Sequence, residues 1–415
     1  MIETDTRGFA IQVDDLDADW LLSLIEDSET QSRIAERRKL RYAAQWCRLH
    51  LVESHDDEED APIGGHGTPP VAVFAAEPLG AALQTTTHAA RQLMSDAWNL
   101  RHRLPMVWAG VESLNVPAWR ARRIAQATAH LTQEQAALVD RELAHRAATC
   151  GTVLIDRTIA QVIAATDPEA PQADEELSKE NWEVRIFHGP HTGPGRWTGT
   201  SILEITGDTH DLTRIHDQLT RSADLGAAIH DLATSSGGGR PARTKLIVHA
   251  DLSALSDETI GTGSVERLGP VSMARIKDWV DHSHVTVLPV LRMDRCDAVD
   301  RHDPPTWMRE HVILRDQHCV FPWCHTDARS CDLDHITPYL PLDKGGPPGQ
   351  TNPGNLAPTC RRHHRNKTRG IWSYTREPDG TYTWTSPHGR RYAVTPCGTS
   401  GMVEPCASDE RPRPT

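Results

Sequence analysis

Apolar residues recur at helical spacing through most of the first 165 residues of the chain. Trp20 and Leu24 begin this pattern, and a longer apolar stripe follows from about residue 79 to residue 100. Intervals of three and four residues are typical of amphipathic helices, so we expect residues 1–165 to be mainly helical. Thr132 and Gln135 have the spacing of a capping box and predict the start of one helix.

The pattern changes after an acidic, proline-rich stretch at residues 166–181. Short apolar runs bounded by glycine and proline then predict strands, and Leu212–Ile229 has helical periodicity. We therefore expect residues 182–305 to form an α+β part of the same N-terminal domain. The predicted strands are Trp182–Phe187, Thr200–Thr206, Lys245–Ala250 and Val285–Val290.

The last third of the chain combines one predicted helix with aromatic strands. Trp307–Arg315 is expected to be a helix that leads into a small module at residues 309–394. Near the end of this module, aromatic residues alternate with polar ones around the turn pair Asp379-Gly380, which predicts a β-hairpin. Residues 395–415 are rich in proline and charge, so we expect a disordered tail.

Charge is distributed unevenly along the chain. The formal net charge is −13, but Arg309–Tyr392 contains 12 Lys/Arg and 8 Asp/Glu, a local charge of +4. The rest of the chain therefore carries −17. An acidic body with a mildly basic module favours a nucleic acid as the partner of that module.

Cysteine usage and hydropathy indicate where the protein works. The N-terminus has no apolar segment typical of a signal peptide, and the longest strongly apolar stretch, Val285–Leu291, is too short to span a bilayer. Four of the nine cysteines lie within 42 residues, which indicates metal binding rather than disulfides. We therefore expect a cytoplasmic protein without a membrane partner.

Two ligand pairs frame the C-terminal module. Cys319 and Cys324 form a Cys-x4-Cys pair, and Cys360 and His363 form a Cys-x2-His pair. Thiolate and imidazole ligands in this number are typical of a closed structural zinc site. The sequence therefore predicts one structural Zn²⁺ at these four residues.

Residues suited to phosphodiester hydrolysis lie between and beside these pairs. His335 is the expected general base, Asn355 is expected to support it, and Asp334 and His364 are expected to bind a catalytic divalent cation, Mg²⁺ or another metal. Basic side chains follow at once and suit phosphate contacts. They include Arg361, Arg365 and Lys367.

This set of residues resembles the HNH endonucleases, the ββα-metal superfamily, in its zinc-bearing branch. His335, Asn355 and His364 match the three residues that give the family its name, and His363 stands where many relatives have a cysteine. Spacing alone leaves open whether His363 or His364 is the zinc ligand. The resemblance implies an α+β multidomain protein with a mainly helical N-terminal region, a mixed α/β middle and a C-terminal ββα-metal (HNH) zinc module with a trailing β-hairpin. The long segment before the module resembles a domain of unknown function that is frequent in mycobacteria and their relatives.

The resemblance implies a metal-dependent endonuclease that hydrolyses DNA phosphodiester bonds. An alternative function is a zinc-stabilised nucleic-acid-binding or adaptor protein without catalytic turnover. In either case the sequence leaves open whether the N-terminal region binds DNA, binds a protein partner or self-associates. The joint presence of Asp334, His335, Asn355 and His364 favours the enzyme, because a binding module needs only the zinc ligands.

Overall fold

A computed structural model describes residues 2–4, 10–52, 62–166, 183–188, 201–207, 209–221, 248–249, 262–265, 269–272, 276–277, 295–395 and 398–402. Its contacts divide the chain into two units. The first unit combines Met1–Thr166 with Val290–Thr415, and the second is Asp167–Pro289.

Helices form most of the N-terminal part of the first unit, as the periodicity predicted. After a small antiparallel pair, β1 (Ile2–Thr4) and β2 (Ala10–Gln12), seven helices follow. The apolar stripes of all of them except α2 meet in one large core that contains the fully buried Leu100, Ile124 and Leu143. The helices are α1 (Ala18–Leu49), α2 (Ala76–Ala82), α3 (Thr87–Arg103), α4 (Pro105–Glu112), α5 (Ala118–Ala127), α6 (Gln133–Ala144) and α7 (Thr152–Thr166).

Side-chain caps fix the starts of three of these helices, with Asp17 as the cap of α1. The predicted capping box is confirmed at α6, where Thr132 and Gln135 bond to each other's backbone N–H groups. Thr86 caps α3 by accepting a hydrogen bond from the Ala89 N–H at 3.1 Å. This cap makes Thr87 the first helical residue of α3.

The second unit contains short antiparallel strands and one described helix. β3 (Glu183–His188) pairs with β4 (Ser201–Thr206), and α8 (Thr209–Thr220) follows. Of the predicted helix Leu212–Ile229, residues 212–220 are helical, and β5 (Val248–His249) lies within the predicted strand Lys245–Ala250. Residues 222–229, 245–247 and 250 of these two predictions lie outside the described residues. The predicted strand Val285–Val290 lies outside the described residues. A second sheet has the order β5 (Val248–His249), β6 (Thr262–Val265) and β7 (Gly269–Ser272).

The C-terminal part of the first unit contains two small antiparallel sheets and two helices. α9 (Thr306–Asp316) lies close to its predicted bounds and is followed by β8 (Asp332–His335), β9 (Leu356–Thr359) and α10 (Arg361–Thr368). The second sheet has the order β10 (Ser373–Arg376), β11 (Tyr382–Thr385), β12 (Arg391–Thr395) and β13 (Gly398–Met402).

The predicted hairpin is thus the first half of a four-stranded sheet. Strand β13 lies within residues 395–415, for which composition predicted disorder, and pairs with β12 along its whole length. The sheet is held by an aromatic core in which Phe321, Trp372 and Trp384 are almost completely buried. Aromatic burial of this kind stabilises a small module well beyond what its strand pairing provides.

The architecture confirms a mixed α+β protein with N-terminal helices and a small C-terminal antiparallel sheet region. Within the part of the chain that the structure describes, none of the helices has the length and apolar character needed to cross a bilayer.

Candidate functional site

Strands β8 and β9 and helix α10 bring the candidate residues together. The two strands are antiparallel, with Asp334 opposite Ala357 and His335 opposite Leu356. Consecutive strand residues point to opposite faces, so Asp334 and His335 face different surroundings. The chain then passes through Cys360 directly into α10, which carries both adjacent histidines.

Three cysteines and one histidine form a compact cluster, the Cys3His cluster: Cys319, Cys324, Cys360 and His363. Their ligand atoms all lie within 4.8 Å of one another. Nδ1 of His363 lies 3.1 Å from Sγ of Cys360 and 3.5 Å from Sγ of Cys319. The backbone N–H of Cys360 donates to Sγ of Cys319 at 3.3 Å, while burial raises the pKa of the Cys319 thiol well above its usual range.

The surroundings of His363 orient its ring. Phe321 stacks on it with ring centroids 3.8 Å apart and an angle of 11° between the planes. Nε2, on the far side from the thiols, lies 3.1 Å from Oγ1 of Thr87 on α3. Burial opposes the charged form of the ring, yet hydrogen bonds with the side chains of Cys324 and Cys360 raise the pKa of His363 to about 9.

The Cys3His cluster has the composition and size of a site that holds a metal ion. Two ligands of a tetrahedral zinc lie about 3.5–3.8 Å apart, given Zn–S and Zn–N distances of about 2.3 and 2.0 Å. The measured sulfur–nitrogen distances of 3.1 and 3.5 Å are close to that range.

Asp334 lies at the centre of a second cluster, away from the thiols. The carboxylate is buried, and its Oδ1 lies 3.4 Å from Nε2 of His364 and accepts a hydrogen bond from Nζ of Lys367 at 3.0 Å. Tyr374 donates to Oδ2 at 2.9 Å. Burial alone would raise the pKa of Asp334, but hydrogen bonds from these three side chains outweigh it and lower the pKa.

His364 is held between two carboxylates. Its Nδ1 lies 3.1 Å from Oδ2 of Asp332, and its Nε2 faces Asp334. The hydrogen bond with Asp334, opposed by burial, and the nearby charge of Asp332 raise the pKa of His364. Neither ring nitrogen of His364 points toward the Cys3His cluster, so the structure separates the two adjacent histidines.

His335 lies on the opposite face of β8 in a third environment. Its Nε2 lies 2.8 Å from Oγ1 of Thr351, which is fully buried, and its ring centroid lies 5.1 Å from that of His302. Burial, with smaller contributions from His302 and Lys367, lowers the pKa of His335 to about 4. The imidazole is therefore neutral at neutral pH.

Asn355 bonds to the backbone that follows His335 and to the backbone of Gln350, rather than to the imidazole. Its Oδ1 accepts from the Thr337 N–H at 2.8 Å, and its Nδ2 donates to the carbonyl oxygens of Thr337 and Gln350 at 3.2 and 2.8 Å. The carbonyl of Asn355 also accepts from the Ile336 N–H at 2.8 Å. Asn355 thus fixes the loop that follows β8 and, through it, the position of His335.

The basic residues of α10 point in different directions. Arg361 is 77% exposed and contacts Asp332 at 3.3 Å, so its guanidinium is accessible to an anion. Lys367, which was predicted to contact phosphate, is only 12% exposed and bonds to Asp334 and to the carbonyl of His335. Its ammonium therefore neutralises a buried carboxylate, and Arg365, the third predicted contact, is half-buried.

Four residues of these environments were missed by the sequence analysis. Asp332, two positions before Asp334 on the same strand face, is recognisable from the alternation of a strand. Thr351, Tyr374 and Thr87 carry no comparable signal, because each reaches the site from another part of the chain.

Similarity to known proteins covers only part of the chain. No family model and no solved structure matches it. The uncharacterized protein Rv2100 of Mycobacterium tuberculosis (strain H37Rv) is 39% identical over 102 residues, 24% of this chain and 17% of that protein. The uncharacterized protein Rv3776 of the same strain is 41% identical over 96 residues, 22% of this chain and 17% of that protein. The chain thus covers about a sixth of the length of these relatives.

Proposed function

We propose that the chain is a metal-dependent endonuclease of the HNH type that hydrolyses DNA phosphodiester bonds. The observation that supports this most directly is the meeting of β8 and α10, which brings Nε2 of His364 to 3.4 Å from Oδ1 of Asp334. The order β8, β9, α10 agrees with the ββα module that the resemblance implies. His335 follows Asp334 on β8 and lies on the opposite face of that strand, where we assign it the role of general base.

Zn²⁺ is the metal that we propose for the Cys3His cluster, in a structural role. The four side chains come from a loop, from the end of β9 and from the first turn of α10, so a bound ion would fasten these three segments together. Because all four tetrahedral positions are taken by protein ligands, such a site has no place for a substrate.

The bonding of His335 suits a general base. The hydroxyl of Thr351 donates to the carbonyl of His302 at 3.4 Å, so its oxygen accepts a hydrogen bond from Nε2–H of His335. A neutral imidazole with its proton on Nε2 has its lone pair on Nδ1. His335 would therefore take a proton from water through Nδ1, with Thr351 as the positioning residue and Asn355 holding the loop.

Asp334 and His364 are the residues that would hold the catalytic cation. Their facing donor atoms are 3.4 Å apart, near the ~3 Å expected between neighbouring ligands of an octahedral Mg²⁺. A divalent cation bound there supplies charge that polarises the phosphate and stabilises the leaving oxygen. Asp332, on Nδ1 of His364, orients that ring in the way that carboxylates orient metal-binding histidines.

Of the three residues predicted to contact phosphate, Arg361 is the one that we propose for this role. Arg361 lies beside the Asp332–His364 pair with most of its surface accessible, which suits a charge-assisted contact to a phosphate oxygen. Lys367 would act indirectly, by keeping the Asp334 carboxylate ionised within a buried site.

A zinc-stabilised nucleic-acid-binding module without turnover is the second candidate, and two observations favour it. Lys367 and Tyr374 already bond to the two oxygens of Asp334, as expected for a structural carboxylate. His335 is only 5% exposed, which restricts the access of water to its ring. A binding module needs neither group to react.

Replacing His364 with alanine is expected to leave zinc in place. Plasmid nicking is expected to fall by at least ~100-fold, because the catalytic cation loses one of its two proposed protein ligands. The measurement is zinc content of the purified protein beside the rate of nicking of supercoiled plasmid with Mg²⁺ or Mn²⁺. The matched variant is His363→Ala, which is expected to lose zinc because Nδ1 of His363 faces the thiols.

Two results would change these assignments. If His364→Ala releases the zinc and His363→Ala retains it, the roles of the two histidines must be exchanged. If zinc-loaded wild-type protein binds DNA but leaves the plasmid intact with either cation, the binding module replaces the nuclease as the proposed function.

A further inference from the structure

We propose that the metal centre is completed from the N-terminal helical region, with Thr87 as a positioning residue for the metal ligand His363. Thr87 is 276 residues from His363 in sequence, yet its hydroxyl oxygen lies 3.1 Å from Nε2 of the ring. The inference rests on the proposed metal centre but is independent of nuclease activity.

The direction of this hydrogen bond follows from the other side of the ring. Nδ1 of His363 faces Sγ of Cys360 and of Cys319, so it is the nitrogen available to a metal ion. A metal-bound neutral imidazole then carries its proton on Nε2 and donates it to Oγ1 of Thr87. This bond fixes the tautomer and the plane of the ring, and it increases the basicity of the nitrogen that binds the metal.

The Thr87 hydroxyl adds a polar restraint on the His363 ring to the stacking by Phe321. Phe321 lies against one face of His363 at 3.8 Å and limits its tilt. Rotation within that plane is limited at Nδ1 by the thiols and at Nε2 by the hydroxyl of Thr87, and both His363 and Thr87 are buried. Loss of the hydroxyl would leave Nε2–H of His363 buried without a hydrogen-bond partner, which would destabilise the metal-bound state.

A second set of contacts holds the same two parts of the chain together. Glu77 on α2 is completely buried, and its Oε1 accepts from Nε of Arg362 at 2.6 Å. Nη2 of Arg362 also donates to the carbonyl of Val73 at 2.5 Å, and the guanidinium groups of Arg362 and Arg369 lie 5.5 and 5.2 Å from the ring of Phe74. A buried carboxylate is costly without a charged partner, so loss of the Arg362 guanidinium would leave the Glu77 carboxylate unpaired.

These contacts assign the two sides of α10 to different roles. Arg362 and His363 lie against α2 and α3, whereas Arg361 and His364 lie beside Asp332. Arg362 is therefore committed to the helical region, and the exposed Arg361 marks the side of α10 that remains for a phosphate. The helical region is thus part of the metal module.

The test is the zinc affinity of three full-length variants, measured by competition with a chromogenic chelator. Thr87→Val removes the hydroxyl at nearly constant shape and is expected to weaken zinc binding by ~10–100-fold, the usual effect of losing such a partner. Thr87→Ser keeps the hydroxyl and is expected to bind zinc within a few-fold of wild type. Thr86→Ala removes the neighbouring cap of α3 and is expected to lower the midpoint of thermal unfolding without changing zinc affinity.

Each alternative outcome is distinguishable. Zinc affinity of Thr87→Val equal to wild type would overturn the inference while leaving the metal centre intact. Equal weakening in Thr86→Ala and Thr87→Val would show that destabilisation of α3, not the hydroxyl, is responsible, and would also overturn it. Wild-type protein that binds no zinc would refute the metal centre itself, and with it the structural part of the proposed function.

Discussion

Replacing Cys360 with serine is expected to remove the bound zinc and to unfold the C-terminal module. Sγ of Cys360 lies 3.1 Å from Nδ1 of His363, and the residue joins β9 to α10, so a metal bound through this sulfur would fix the junction of the two elements. Structural zinc contributes on the order of 10 kcal/mol to small domains. The aromatic core beside the cluster, including Phe321, is expected to be exposed as a result.

Zinc content and near-ultraviolet circular dichroism of Cys360→Ser measure the two parts of this expectation, since Trp372 and Trp384 report on the packing of the module. Cys331→Ser is the matched control, because Cys331 is also a buried thiol but bonds to the carbonyl of Asp327 and lies outside the Cys3His cluster. A Cys360→Ser protein with full zinc content and unchanged aromatic signals would contradict the assignment.

The Cys3His cluster was predictable from sequence because its ligands come in local pairs. A Cys-x4-Cys loop and a Cys-x2-His start of a helix each place two ligands together whatever the rest of the fold does. The choice between His363 and His364 was not predictable from spacing. The structure distinguishes them because adjacent helical residues project about 100° apart, so one faces the thiols and the other faces Asp334.

Lys367 shows why the basic residues of α10 were harder to assign. Lys367 follows His364 by three residues, so both lie on one face of the helix and both reach Asp334. Sequence gives the position of a lysine on the helix but not the buried carboxylate that it meets. The contacts of Arg362 with Glu77 and of His363 with Thr87 were likewise hidden, since they join parts of the chain more than 270 residues apart.

Strand β13 illustrates the limit of composition as a guide to disorder. The tail after residue 395 is proline-rich and charged, yet the short stretch Gly398–Met402 pairs with β12. Five residues of small and polar type do not predict a strand on their own. They are ordered here because an existing sheet edge provides the hydrogen-bonding partner.

Strands β3 and β4 of the second unit, in contrast, were predicted from sequence. β3 and β4 lie within a residue or so of their predicted bounds because each contains a short apolar run.

Replacing His335 with alanine is expected to remove nicking activity while zinc content and fold stay intact. His335 makes no contact with the Cys3His cluster, and its ring bonds to Thr351 on the opposite face of β8 from Asp334. Loss of a general base typically costs ~10²–10⁴ in rate. The measurement is the single-turnover rate of plasmid nicking, with zinc content and the thermal unfolding midpoint determined for the same preparation.

Thr351→Val is the matched variant for His335→Ala. It retains the imidazole but removes the oxygen that accepts from Nε2–H, so the tautomer with a lone pair on Nδ1 is no longer enforced. We expect a smaller fall in nicking rate than in His335→Ala, again with full zinc content. A general base acting through Nδ1 predicts this order of effects. If His335→Ala nicks DNA as fast as wild type, or if it loses zinc, His335 is a structural residue and another group must activate the water.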